Sequence, residues 1–90
     1  MLEPKADSLR LDKFLVFARF CKTRSVAESL VEAGGVRVNR LPTAKPHARL
    51  HEGDVLTLSL PQGVRVLEVL YLPNRREGAP LAQSCYREIA

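Results

Sequence analysis

Apolar positions recur at helical spacing in the first third of the chain and at alternating spacing after it. In "DSLRLDKFLVFARFCK", Leu11, Phe14, Leu15 and Ala18 stand at i, i+3, i+4 and i+7, and Cys21 extends the stripe. That spacing predicts a helix with one buried face. Asp7 or Ser8 is the expected N-cap, and Arg10, Lys13 and Arg19 lie off the stripe, towards water or a ligand. In "SVAESLVEAGG", Ser25 followed three residues later by Glu28 has the spacing of a capping box. Ala27, Leu30 and Val31 continue an apolar face, and Gly34-Gly35 supplies the stop. A second helix is therefore expected from about Val26 to Ala33, joined to the first by a short connection and packed against it as a corner.

At "VRVN" the period changes to 2, with Val36 and Val38 inward and Arg37 and Asn39 outward. "RLPTAKP" is rich in turn formers. "ARLHEGDVLTLSL" reads as a strand entry, a tight turn at Glu52-Gly53-Asp54, and a strand from Val55 to Leu60. After the turn "PQG", the nearly unbroken apolar run "VRVLEVLYL" predicts a strand covered on both faces. Pro73 to Gly78 is a charged loop; beyond it Ala82, Cys85, Tyr86 and Ile89 return to helical spacing and predict a C-terminal helix. The expected order is α-α-β-β-β-α. This is an α+β fold, with two N-terminal helices packed on a small, mostly antiparallel sheet and a short C-terminal helix. It divides into a tail over 1–8, a main domain over 9–72, and a loop with helix over 73–90. No internal repeat or low-complexity segment interrupts it.

A chain of 90 residues, 46% hydrophobic and 27% charged, suits one small soluble domain. No apolar run approaches the roughly 20 residues of a membrane span, and "MLEPKADS" lacks the apolar stretch of a secretory signal. A cytoplasmic protein with no membrane contact is expected. Cys21 and Cys85 lack CxxC spacing and read as two reduced, buried thiols. His47 and His51 are four apart, but Pro46 and "EGD" argue against the helix that would aim both at a metal. Asp12 and Asp54 read as capping or local charge pairing. With no phosphate loop, no metal cluster and no nucleophile beside a base, neither an enzyme nor a cofactor is expected.

Charge placement changes the picture most. From Arg10 to Arg49 there are nine Lys or Arg against three acids, a surplus of six, whereas the flanking segments are each negative by one. That asymmetry points to a polyanionic partner. Lys22 and Arg24 crowd the start of the second helix, although helix starts attract anions and disfavour cations. The arrangement becomes favourable when an external phosphate meets both the helix amides and the side chains. Phe14, Phe17 and Phe20 stand at helical spacing and read as core, so the expected contacts are with phosphate and sugar.

"RLDKFLVFARFCKTRSVAESLVEAGGVRVNR" closely resembles the RNA-binding domain named after ribosomal small-subunit protein four, over Arg10 to about Leu60. The pattern is R-L-D, a hydrophobic helix, a basic junction before a second helix, then Gly-x-V-x-V-N. The resemblance implies an αL RNA-binding motif, with the domain at 9–72 as the RNA-binding unit. It also implies an RNA-facing surface made of Arg10, Lys13, Arg19, Lys22, Thr23, Arg24, Ser25, Arg37, Asn39 and Lys45. Asn39 is followed by Arg40 where this family usually has Gly. Within the family, the first helix pair and the ending "VLYLPNRREGAPLAQSCYREI" are similar to the small ribosome-associated heat-shock proteins. That similarity implies a stress-response protein acting on stalled large ribosomal subunits that carry a nascent chain on tRNA, in recycling or quality control. The implied partners are large-subunit ribosomal RNA and tRNA or peptidyl-tRNA, bound by a monomer. Two alternatives are a protein-interaction module on the same fold and a general binder of structured RNA or DNA. Glu28 and Glu32 on the short second helix disfavour reading of DNA bases.

Overall fold

The computed structural model describes residues 8–76 and 78–89. Strand β1 (Leu9–Arg10) runs directly into helix α1 (Leu11–Phe17), whose N-cap position is held by Arg10 without a side-chain cap bond. The expected cap at Ser8 is therefore absent, and Asp7 lies outside the described residues. Long-range partners take over the orphan amides of the first turn. Leu11 donates to the Ala48 carbonyl at 2.8 Å and Asp12 to that of Pro46 at 3.0 Å. The Lys13 amide has a local partner, donating to the Asp12 side-chain carboxylate at 2.7 Å. Ser8 serves elsewhere, accepting from Arg49 Nε at 2.9 Å.

Helix α1 closes with Arg19 in the left-handed region, at φ 67°. Its amide donates to Val16 and that of Phe20 to Leu15, the paired bonds of a Schellman turn. Helix α2 (Arg24–Glu32) begins two residues before the expected start, because Thr23 is its cap and accepts from the Val26 amide at 3.2 Å. Ser25 thus lies inside the helix, and the Ser25–Glu28 capping box does not form. Gly34, at φ 84°, ends α2 with the same pair of bonds, from Gly34 to Val31 and from Gly35 to Leu30. A Cβ at Gly35 would stand 3.0 Å from the Leu30 carbonyl oxygen and would displace the Leu30 side chain, so glycine eases the close approach there.

The rest is mostly sheet: β2 (Val36–Val38), β3 (Leu41–Pro42), β4 (Arg49–Leu50), β5 (Val55–Leu60), β6 (Gly63–Val69), helix α3 (Ala79–Gln83) and β7 (Tyr86–Glu88). Five strands form one antiparallel sheet in the order β3-β2-β5-β6-β7, and β1 pairs separately with β4. Leu56 pairs with both Val38 and Leu67, which puts all three on the face that meets the helices. Leu11, Phe14, Leu15, Ala27 and Val31 close over Val36, Leu56, Leu58 and Leu67, all fully buried. The expected α+β architecture, two helices on an antiparallel sheet, is the one observed.

Two expectations change. The C-terminal helix stops at Gln83, and Tyr86–Glu88 is an added edge strand. Ala82 and Cys85 are buried as their spacing implied, but β6 has an open row of backbone groups that helix could not satisfy. Ladder pairs Val69–Tyr86 and Glu68–Arg87 fill it, as does the Ile89 amide on the Val66 carbonyl at 2.8 Å. Strand β6 itself is covered on one face only. Leu67 and Val69 are buried, whereas Val64 is 65% exposed on the open side.

Candidate nucleic-acid interface

Asp12 is the buried charged residue among the described residues, with no exposed surface. Arg10 grips it through two bonds, Nε to Oδ1 at 3.1 Å and Nη2 to Oδ2 at 2.8 Å. Arg24 Nη2, from the first turn of α2, approaches Oδ2 at 3.5 Å. Burial pushes the Asp12 carboxyl up, but the Arg10 bonds, the Lys13 amide and the nearby Arg24 together hold it below its ordinary value. The Asp12 hydrogen bond raises Arg10 against the opposing effect of burial, and Glu28 on α2 adds a smaller upward push. The Arg10 side chain is 32% exposed and that of Arg24 is 50% exposed. Two guanidinium groups therefore surround one carboxylate, and a net positive charge faces water.

The other cations expected at the site lie on the elements next to Arg10 and Arg24. Lys45 is exposed in the loop whose next residue, Pro46, holds the Asp12 amide at 3.0 Å. Lys13, half-buried, follows Asp12 on α1. Lys22, Thr23 and Ser25 are exposed at the connection and first turn of α2, beside Arg24. Arg19 is exposed at the left-handed end of α1, the end away from Asp12, and lines a hollow with Phe20, Leu60, Gln62 and Arg65. Arg37 and Asn39 also stand apart. Arg37 is exposed on β2, on the sheet face opposite Val36, which is buried under the helices. Asn39 is exposed, yet both ends of its amide are engaged within the fold. Nδ2 donates to Asp54 at 3.0 Å, and Oδ1 accepts from the Val55 amide at 2.9 Å.

Asp54 also accepts from the His51 amide at 2.8 Å, so both acids considered above hold local structure, as the sequence suggested. Among the described residues no group of three His, Cys, Asp or Glu is placed to hold a metal. Cys21 and Cys85 are free and buried, the state their spacing predicted. Phe14 is core; Phe20, half-buried, packs against Tyr86 with the rings tilted at 45° and their centroids 4.8 Å apart, and carries Arg65 over its ring at 5.0 Å. Sequence reasoning missed the organising role of Asp12. The available signal was its position three residues before Leu15, at the edge of the apolar stripe.

These features define a small α+β domain with a cationic helix corner, and comparison with known proteins gives its class. The S4 domain family matches residues 9–56, and the chain belongs to it. Heat shock protein 15 of Escherichia coli is 36% identical over 90 residues, covering all of this chain and 67% of that protein. The Heat shock protein 15 homolog of Haemophilus influenzae is 39% identical over 80 residues, 89% of this chain and 60% of that protein. The chain thus spans about 60% of the length of the latter. The RQC P-site tRNA stabilizing factor of Listeria innocua is 42% identical over 53 residues, 59% of this chain and 56% of that protein. The solved trimeric structure of Vibrio cholerae Heat Shock Protein 15 superposes with a TM-score of 0.86 at 40% identity, covering 93% of this chain and 84% of that one.

Proposed function

We propose that this chain is a non-enzymatic RNA-binding protein of the ribosome, acting on large subunits that stall with a nascent chain on tRNA. The observation that carries the reading is the exposed guanidinium of Arg24 at the start of α2, beside Arg10 and flanked by Lys22 and Thr23. The first amides of α2 and the side chains of Lys22 and Arg24 are the groups this reading assigns to a phosphate. Large-subunit ribosomal RNA and tRNA are the partners this reading assigns. The tRNA assignment draws on the name of the Listeria relative, and the stress-linked role on the heat-shock relatives. On this reading residues 9–72 are the RNA-binding unit, and β7 adds an edge strand to its sheet.

No described helix is long and apolar enough to cross a membrane, which suits a cytoplasmic ribosomal partner. Arg10, Lys22, Thr23 and Arg24 all come from one chain, which supports binding by a monomer. Co-sedimentation with ribosomal subunits tests the reading: the protein should travel with stalled large subunits and leave them at high salt. Absence from every ribosomal fraction at low salt would defeat it.

A second reading, a protein-interaction module, draws on the open face of the sheet, where Val64 and Ile89 are 65% and 50% exposed. Binding that survives nuclease and high salt would favour it over RNA recognition.

A further inference from the structure

Asp12 is an unexpected residue to find beneath a surface meant for phosphate. A carboxylate there repels a polyanion, and its burial carries a desolvation cost that an apolar side chain would avoid. Its contacts divide two arginines into different roles. Arg10 has two of its donor nitrogens on the two carboxylate oxygens, at 3.1 and 2.8 Å. Arg24 has one long approach at 3.5 Å and half its side chain in water, so it is engaged by the carboxylate far less closely than Arg10. Arg24 belongs to α2 and Asp12 to α1, so the same contact joins the two helices that form the corner.

We propose that Asp12 is a positioning residue for RNA recognition: it fixes the fork of Arg24, buttressed by Arg10, in a phosphate-ready orientation before RNA arrives. The inference rests on the RNA-binding reading above and adds to it a means of preorganisation. A free arginine samples many rotamers, and ordering it on binding weakens the complex. An arginine already held by a buried acid has less freedom to lose, and its planar fork can meet a phosphate through two bonds. Arg10 then matters by keeping the carboxylate ionised and oriented, with its outer face adding general positive charge.

The test is a titration of an unmodified tRNA transcript by anisotropy, with wild type, Arg24→Ala, Asp12→Glu, Asp12→Asn and the Asp12→Asn/Arg24→Ala double variant. Asp12→Asn raises net charge by one, so a purely Coulombic role for the acid gives tighter binding. Positioning gives the opposite sign, about tenfold weaker binding, equivalent to losing one well-made contact. That loss should nearly vanish on the Arg24→Ala background, because the group being positioned is gone. Thermal melting establishes that Asp12→Asn is folded. Should it not fold, Asp12→Glu decides, because it keeps the charge and displaces the carboxylate by one methylene. Several-fold weaker binding by folded Asp12→Glu supports positioning, and wild-type affinity overturns it. Tighter binding by folded Asp12→Asn also overturns it, while a loss in Arg24→Ala leaves the RNA-binding reading standing. If wild type itself fails to bind the transcript in a salt-dependent way, the RNA-binding reading falls first.

Discussion

Arg24 and Asp12 sit on different helices, and their side chains meet at 3.5 Å where α2 begins. The acid is sealed from solvent, whereas the arginine is half exposed. One contact thereby serves both the packing of the helix pair and the electrostatics of the surface.

Acid sensitivity follows from it. The Asp12 carboxyl is held below its ordinary value of 3.8, so the unfolded chain takes up this proton at higher pH than the folded one. Its contribution to stability is complete above about pH 5 and is lost as pH falls through the ordinary carboxylate range to the depressed folded value. Glu88, lowered by its hydrogen bond to Arg65, adds a contribution of the same sign. Urea melts at pH 7, 5, 4 and 3 should show wild type weakening steeply below pH 5, and Asp12→Asn, although less stable at pH 7, weakening less.

Asn39 is expected to behave as a structural residue. Its amide spans from the β2–β3 turn to Asp54 and Val55, and its φ of 51° suits Asn better than most residues. Asn39→Ala should lose two hydrogen bonds and strain the turn, at a cost of about 2 kcal/mol in chemical denaturation. Once the variant is folded, the salt dependence of its RNA binding should match wild type.

Arg40 occupies the second position of that two-residue turn at φ 72°. Hairpin turns with both central residues at positive φ favour Asn-Gly, so the turn keeps its geometry despite the arginine. Arg40→Gly should raise stability by roughly 0.5–1 kcal/mol, read as a higher midpoint in urea.

Arg65 holds the C-terminal strand. It bonds both oxygens of Glu88, at 2.5 and 3.1 Å, and lies over the rings of Phe20 and Tyr86. Arg65→Met should lower stability by about 1 kcal/mol, the combined scale of a partly exposed ion pair and a ring contact. Amide exchange at Ile89, whose N–H bonds Val66, should accelerate more than exchange in β5.

Much of this was legible in the chain because local periodicity dominates where one face is buried. Both helices and the strand Val55–Leu60 were visible for that reason. The features that escaped depend on distant partners. The amides opening α1 are satisfied by the 46–48 loop and by Asp12, which no local cap signal reveals. Tyr86 and Ile89 share their spacing with Ala82 and Cys85, and only the unpaired edge of β6 makes that segment a strand. The cationic corner was legible as composition. Its internal organisation was not, because an acid between Arg10 and Lys13 looks like surface charge until the fold buries it.

The most direct measurement is the salt dependence of tRNA affinity for wild type and Arg24→Ala. If about five phosphates are engaged, the wild-type logarithmic slope should be roughly −4.5, taking duplex DNA as the guide. Arg24→Ala should weaken binding and make the slope shallower by about 1. Equal affinity and equal slope for the two proteins would contradict a phosphate grip at the start of α2.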